Sequence, residues 1–136
     1  MPHCVILYTP NLETKTQMGR LCRELADRML TIRDEDGKQV FPTGGTRVLA
    51  YPAAHYAVAD KDDEDYAFVY INVRMGAGRS ADVHQRAGDN LLQVVKAHFA
   101  PIFADELIGI TLQIDESPGQ VYHGKHSSLH PLFNKA

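Results

Sequence analysis

The segment YAFVYINVRM, from Tyr66 to Met75, is the clearest strand in the sequence. It is rich in β-branched and aromatic residues, which favour extended structure. Large side chains fall on both of its faces, a pattern typical of a central strand that is covered on both sides. The segment therefore predicts the middle of a β-sheet, and the other elements can be placed outward from it.

A helix and a second strand follow this segment. Ser80 is a natural N-cap with Asp82 in the first turn, and the helix is expected to stop near Pro101. Its apolar residues recur at helical spacing: Ala87, Leu91, Leu92, Val95 and Phe99. From Leu107 to Glu116 apolar residues alternate with polar ones, which predicts a strand with one buried face.

The N-terminal half repeats this arrangement. Residues 3–8 form an apolar run that predicts a buried strand, and residues 14–32 have the apolar stripe of an amphipathic helix. Residues 34–37 are a polar loop with a glycine breaker. Residues 47–57 predict a further strand, at a sheet edge because Pro52 cannot donate to a ladder.

The resulting order, β-α-β-β-α-β, predicts an α+β or α/β fold. Each β-α-β unit requires a parallel pair of strands joined by a helical crossover. We expect a single domain over residues 1–136, with units at about 2–57 and 66–116 and a tail at 117–136. A four-stranded mixed sheet would carry two helices on one face, and its other face would need a partner, which predicts an oligomer.

Composition excludes several classes of function. The apolar content of 44% and charged content of 23% are those of an ordinary globular protein. A net charge of -3 provides no basic field for nucleic acid. Neither a membrane-spanning run nor a secretory signal is found. Cys4 and Cys22 are interpreted as reduced core thiols, so we expect a cytoplasmic protein.

Pro2 is the most distinctive chemical feature. A small second residue permits removal of the initiator methionine, which would leave the proline nitrogen as a terminal secondary amine. Terminal amines have a pKa of about 8, and apolar surroundings or nearby cations lower it. An amine poised near neutrality can move protons between carbon and oxygen. Pro2 is therefore the candidate acid–base catalyst, and a chance Met-Pro start is the alternative.

Two arginines at predicted strand ends are candidate substrate ligands. Arg79 follows the central strand, and Arg47 follows the Gly44-Gly45 turn at the start of the predicted edge strand. Loops at strand ends commonly carry the ligand contacts of α/β sheets. An arginine there can bind a carboxylate through two parallel hydrogen bonds. The alternative is that both are solvated surface side chains.

Two further patterns suggest ligands, and neither is complete. Residues 76–81 match the loose dinucleotide fingerprint G-x-G-x-x-A, but the acidic ribose ligand expected about 20 residues later is missing. His123, His126 and His130 would converge only on a regular helix, which nearby glycine and proline residues oppose. We therefore expect no bound metal or cofactor, and a solvated tail.

Several segments carry a family resemblance. They are Met1-Pro-His3, Phe41-Pro42, Gly45 with Arg47, Asp65-Tyr-Ala-Phe-Val69, Gly76-Ala-Gly-Arg-Ser80, Lys96-Ala-His-Phe-Ala100 and Leu129-His-Pro-Leu-Phe133. Together they resemble the 5-carboxymethyl-2-hydroxymuconate isomerase family of the tautomerase superfamily. The segment at 76–80 with its preceding strand is the specific part, whereas the N-terminal proline alone points only to the superfamily.

The resemblance implies a tautomerase-like β-α-β-β-α-β subunit, assembled as a homotrimer with sites near subunit boundaries. It implies isomerisation of a 2-hydroxymuconate-type polycarboxylate, 5-carboxymethyl-2-hydroxymuconate, to its 2-oxo isomer in bacterial breakdown of homoprotocatechuate. Pro2 would be the acid–base catalyst, and Arg47 and Arg79 would hold carboxylates and polarise the carbonyl. No metal or organic cofactor would be needed.

Two alternatives stay open. A divergent enzyme of the same fold could act on another unsaturated acid, because the connection at 32–41 and the acidic loop at 60–65 depart from the family pattern. A noncatalytic oligomeric module could instead bind a carboxylate or phosphate at residues 76–80, at the start of a helix.

Overall fold

The computed structural model has the predicted β-α-β-β-α-β order, and a short helix that was not predicted follows it in the tail. The structure describes residues 3–60, 65–119 and 121–133. Its elements are β1 (His3–Tyr8), α1 (Met18–Met29), β2 (Val48–Pro52), β3 (Tyr66–Met75), α2 (Ala81–Phe103), β4 (Leu107–Glu116) and α3 (His130–Phe133). Among the described helices, none combines the length and apolar character that crossing a bilayer requires.

The strands form one four-stranded mixed sheet in the order β2-β1-β3-β4. β1 pairs with β2 in parallel, and β3 pairs with β4 in parallel. The two units meet through the antiparallel pair of β1 and β3. β3 therefore lies inside the sheet and β2, with Pro52, lies at an edge, as predicted.

The core lies between one face of the sheet and the helices α1 and α2. Alternate residues of β1 and β3 point into it, because side chains of a strand alternate between faces. The fully buried side chains include Ile6, Leu21, Leu25, Val69, Ile71, Val73, Leu91, Val95 and Phe99. Within the part of the chain that the structure describes, this single layer of helices leaves the other face of the sheet uncovered.

The uncovered face is called the outer face here. It is formed by the alternate set of strand residues, with Val5, Leu7, Leu49, Tyr51, Phe68 and Tyr70 as its apolar part. Leu7 is 48% exposed and Tyr51 is 50% exposed. Contiguous exposed apolar side chains of this kind mark an interaction surface.

The helix boundaries differ from the predicted ones. α1 begins at Met18 rather than at Thr14, because the N–H groups of Lys15 and Thr16 both donate to the Leu12 carbonyl and form a turn. α2 continues past Pro101 to Phe103. A proline this near the helix end removes only one late hydrogen bond, so it does not stop the helix there.

The second strand is shorter than predicted. β2 ends at Pro52 instead of reaching Ala57. Its partner β1 ends at Tyr8, whose carbonyl accepts the last bond of the ladder from the Ala53 N–H over 2.8 Å. Without a further partner strand the remaining residues have no ladder to join.

Candidate active site

The predicted site residues come from strand ends that meet at one end of the sheet. β1 and β2 run in parallel and both begin there. β3 and β4 end there, because His3 pairs with Arg74, and Met75 pairs with Glu116. The loop that enters β2 and the loop that leaves β3 therefore lie at the same end as the start of β1.

Pro2, the predicted catalyst, lies outside the described residues. Its covalent neighbour His3 is the first residue of β1. His3 therefore lies at the end of the sheet where the two predicted arginines are found.

Arg47 lies beside the start of β1. A short 3-10 turn, Thr43–Gly45, precedes it. Its carbonyl accepts the Cys4 N–H over 2.9 Å, and its Nη1 donates to the Gly45 carbonyl over 3.1 Å. The side chain is exposed. Its remaining donors can therefore bind an anion that approaches from solvent.

Arg79 lies in the loop between β3 and α2. The preceding residue, Gly78, has a φ of 105°, a conformation that glycine adopts without steric strain. The half-buried Arg79 donates from Nη1 to Asp34 Oδ2 over 3.3 Å and from Nη2 to the Val40 carbonyl over 3.4 Å. Arg79 is thus held against the connection between α1 and β2.

Asp34 is a carboxylate in this arrangement. The Lys38 N–H bond is the largest influence that lowers the pKa of Asp34 below its usual value. The Asp36 N–H and the charges of Arg79 and Lys38 act in the same direction, and partial desolvation opposes them. The ion pair with Arg79 is therefore formed at neutral pH.

The first turn of α2 is occupied by groups of the chain itself. Ser80 Oγ accepts the Val83 N–H over 3.2 Å, so the predicted N-cap is confirmed. The Ser80 hydroxyl also donates to Glu35, which lowers the pKa of that carboxyl. A carboxylate already lies at this positive helix end, which disfavours a phosphate or dinucleotide there.

Arg47 and Arg79 lie at the same end of the sheet, and both are next to the connection between α1 and β2. Arg79 contacts that connection at Asp34 and Val40, whereas Arg47 lies at its far end, next to β2.

The sequence prediction missed Arg74, which shares the outer face with His3 and Asp115. The register pairs Arg74 with both residues. Asp115 accepts from Asn72 Nδ2 over 2.7 Å, and hydrogen bonds from Gln113 and Asn72, with the charge of Arg74, lower its pKa. The alternation of YAFVYINVRM already places Arg74 on this face.

His84 and Glu116 form a second pair that was not predicted. His84 Nε2 lies 2.7 Å from Glu116 Oε1, and the His84 N–H donates to the Ser80 carbonyl over 3.1 Å. Both side chains are half-exposed. The pair therefore lies next to the Arg79 loop, at the end of β4.

The tail is not solvated throughout its described residues, contrary to the prediction, because α3 packs against the rest of the chain. His123 and His126 are exposed, but His130 is half-buried. A Cβ atom on Gly44 would lie 3.1 Å from His130 Cα, so α3 is seated on the turn before Arg47. Among the described residues no group of three or more potential ligands could hold a metal ion.

The cysteines supply no reactive thiolate. Burial raises the pKa of Cys4 to about 12 and also raises the pKa of Cys22. Both are free thiols. They act as small apolar side chains of the core, as the sequence predicts.

Comparison with known proteins gives a consistent set of relatives. A family model described as 5-carboxymethyl-2-hydroxymuconate isomerase matches residues 2–133. The 5-carboxymethyl-2-hydroxymuconate Delta-isomerase of Escherichia coli is 26% identical over 133 residues, which cover 98% of this chain and 99% of that protein. A crystal structure of a 5-carboxymethyl-2-hydroxymuconate delta-isomerase is 51% identical with a TM-score of 0.92, covering 100% of this chain and 95% of the other. The crystal structure of a 5-carboxymethyl-2-hydroxymuconate isomerase from Deinococcus radiodurans R1 is 33% identical with a TM-score of 0.84. The match covers 98% of this chain and 95% of that chain.

The fold recurs at lower identity. A fused 4-OT protein, described as a symmetric trimer, is 20% identical with a TM-score of 0.54 and covers 98% of each chain. At this identity the likeness shows the fold alone. The predicted four-stranded sheet with its tautomerase-like order of elements is confirmed.

Proposed function

This chain belongs to the 5-carboxymethyl-2-hydroxymuconate isomerase family, and we propose that it converts 5-carboxymethyl-2-hydroxymuconate to its 2-oxo isomer. The observation that carries the proposal is the full-length likeness to proteins named for this activity. We further propose bacterial breakdown of homoprotocatechuate as the setting of the reaction.

In this proposal Pro2 moves the proton. After loss of Met1, its secondary amine takes the proton of the 2-hydroxyl group and delivers a proton to a carbon of the conjugated chain. An O–H bond breaks, a C–H bond forms and the double bonds shift, so no electrons are gained or lost. The reaction therefore needs no redox cofactor, only an amine that is neutral at working pH.

The arginines supply the positive charge that the substrate requires. By its name the substrate carries three carboxylates, whereas the protein has a net charge of -3. Attraction must therefore come from cations at the site, and we assign this role to Arg47 and Arg79. They would hold carboxylates and polarise the carbonyl, and nearby cations also lower the pKa of a terminal amine.

Binding and rate depend on different parts of this arrangement. Contacts to carboxylates that do not react contribute binding and orientation. Stabilisation of the negative charge that grows on the dienolate raises the rate of the chemical step. An arginine that faces the reacting oxygen would affect kcat, and one that holds a distant carboxylate would affect KM.

We propose a homotrimer with sites near the subunit boundaries. The outer face supports this assembly, because Leu7 and Tyr51 are about half exposed in the single chain. Leu7 pairs directly with Tyr51 on one side and with Tyr70 on the other. An apolar patch across three strands is expected to be covered by other copies of the chain.

Two further proposals concern the chain as a whole. We propose that residues 1–136 form a single domain, which is supported by one contiguous cluster of buried residues. We also propose a cytoplasmic location, which is supported by the two free thiols, since such thiols persist in reducing compartments.

The function is tested by following the conversion of 5-carboxymethyl-2-hydroxymuconate by its ultraviolet absorbance. Protein whose intact mass confirms loss of Met1 is expected to show saturable turnover well above the spontaneous rate. A panel of other unsaturated acids is run in parallel. Turnover of a panel member alone would identify a divergent enzyme of this fold, and binding without turnover of any compound would identify a noncatalytic module.

A further inference from the structure

Arg79 divides its donors between the protein and the space beside the sheet. A guanidinium group has five N–H donors in a fixed planar arrangement. One from Nη1 reaches Asp34 Oδ2 over 3.3 Å and one from Nη2 reaches the Val40 carbonyl over 3.4 Å. Among the described residues the other three donors have no hydrogen-bond partner, so they can bind an anion or a carbonyl oxygen.

The carboxylate that holds Arg79 is itself held in place. Asp34 Oδ1 accepts the N–H groups of Asp36 and Lys38, each over 2.9 Å. The Asp34 N–H donates to the Lys38 carbonyl over 2.8 Å, which closes the loop on itself. One oxygen of Asp34 therefore fixes the loop, and the other is left to hold Arg79.

The loop in turn is anchored in the core. Ile32 and Val40 flank it, both are buried, and the Val40 N–H donates to the Ile32 carbonyl over 3.0 Å. The N–H of Val40 thus closes the base of the loop, and its carbonyl accepts the hydrogen bond from Arg79 Nη2. The guanidinium is therefore held by two acceptors, Asp34 Oδ2 and the Val40 carbonyl, on one internally hydrogen-bonded segment.

We propose that Asp34 is a positioning residue, which holds the guanidinium of Arg79 ready for the substrate. The inference rests on the proposed function and names a further residue of the same site. Arginine side chains lose much rotamer freedom when they bind. An arginine whose side chain is already fixed loses less conformational entropy on binding, so the net binding of the substrate is tighter. Asp34 thereby acts through Arg79 without touching the substrate.

Asp34→Ser is the variant that separates this role from a structural one. A serine hydroxyl can accept the Asp36 and Lys38 N–H groups as the loop requires, but it is too short to reach Arg79. Asp36→Ala is the matched control, because Asp36 contributes its backbone N–H to the loop. Melting temperatures verify that the variants fold. If the serine variant is unstable, isosteric Asp34→Asn takes its place.

The test is a double-mutant cycle on kcat/KM with 5-carboxymethyl-2-hydroxymuconate. Asp34→Ser is expected to lower kcat/KM about tenfold when Arg79 is present and less than about twofold in the Arg79→Ala background, because residues that act together are not additive. Asp36→Ala is expected to leave kcat/KM unchanged. An equal loss in both backgrounds, or no loss in either, would overturn the role of Asp34.

The same cycle separates failure of this inference from failure of the proposed function. If wild-type protein without Met1 does not turn the substrate over, the proposed function is wrong and the inference falls with it. If wild-type turns it over and Arg79→Ala is fully active, Arg79 is not a substrate ligand and Asp34 has nothing to position. If Arg79→Ala is impaired, the coupling alone decides the role of Asp34.

Discussion

The backbone N–H of Cys4 donates to the carbonyl of Arg47 over 2.9 Å. This is the first hydrogen bond between β1 and β2. Cys4 is the second residue of β1, and Arg47 directly precedes β2. The bond places the exposed Arg47 beside the start of β1. The position of Arg47 at this end of the sheet therefore follows from the register of β1 and β2.

We expect Arg47→Ala and Arg79→Ala each to lower kcat/KM by about 10- to 100-fold, since a hydrogen bond to a charged group contributes about 1.5–3 kcal/mol. Arg47→Lys should recover only part of the loss, because lysine lacks the planar pair of donors. Steady-state kinetics measure the effect. The control is Arg23→Ala on the exposed side of α1, and activity equal to that control would exclude either arginine from the site.

The outer face is expected to hold the oligomer together. Leu7→Glu puts a carboxylate between Tyr51 and Tyr70, and burying that charge against apolar rings is unfavourable. Light scattering should show a trimer for wild type and a smaller species for the variant. Ala97→Glu, on the exposed side of α2, is expected to leave the mass unchanged. A trimeric Leu7→Glu protein would contradict the assignment of this face.

Gly44 is expected to seat the C-terminal helix. A Cβ atom there would lie 3.1 Å from His130 Cα and 3.3 Å from the imidazole ring. The larger Gly44→Val side chain should displace α3, and amide exchange of residues 127–133 should become faster. Gly119→Val is the matched control, because no atom of the described residues lies within 4 Å of its new Cβ position. Unchanged exchange in Gly44→Val would show that the seat is not needed.

His98 is expected to make the folded state sensitive to acid. Its Nε2 lies 2.8 Å from Thr16 Oγ1, and its side chain is only 3% exposed. Burial lowers the pKa of His98 in the folded state, Arg20 adds to this and Glu24 opposes it. Protonation therefore favours the unfolded chain, in which a histidine has a pKa of about 6.5.

The lowered pKa of His98 means that the folded protein loses stability as the pH falls. The contribution of His98 is fully present above pH of about 6.5 and is lost as the pH falls toward the lower folded pKa. The urea midpoint of wild type should drop between pH 7.5 and pH 5.5. His98→Gln keeps a donor for Thr16 and should drop less. An equal drop of the urea midpoint in the wild type and in His98→Gln would show that other groups cause the acid sensitivity.

The first and last residues of a strand could be predicted from the sequence where the strand's own residue pattern defines both ends. β3 and β4 have the predicted bounds, Tyr66–Met75 and Leu107–Glu116, because alternation and β-branched residues run through each of them. β2 could not be bounded in this way. It ends where β1 ends, and the end of a ladder depends on the partner strand.

Part of the site could be predicted for a similar reason. Arg47 directly precedes β2 and Arg79 lies in the short loop after β3, so a correct topology places them at one end of the sheet. The partner of Arg79 could not be found, because Asp34 lies 45 residues away in a segment interpreted only as a polar loop. Local sequence carries no sign of a contact between two loops. Arg74 could have been found from the alternation of its own strand.

The most direct test of the account concerns the nitrogen of Pro2. Turnover of 5-carboxymethyl-2-hydroxymuconate is compared between wild-type protein, shown by intact mass to lack Met1, and Pro2→Ala protein with the same melting temperature. The account predicts rapid turnover by wild type and its near-complete loss in Pro2→Ala. Undiminished turnover by Pro2→Ala would contradict the assignment of the proline amine as the acid–base catalyst.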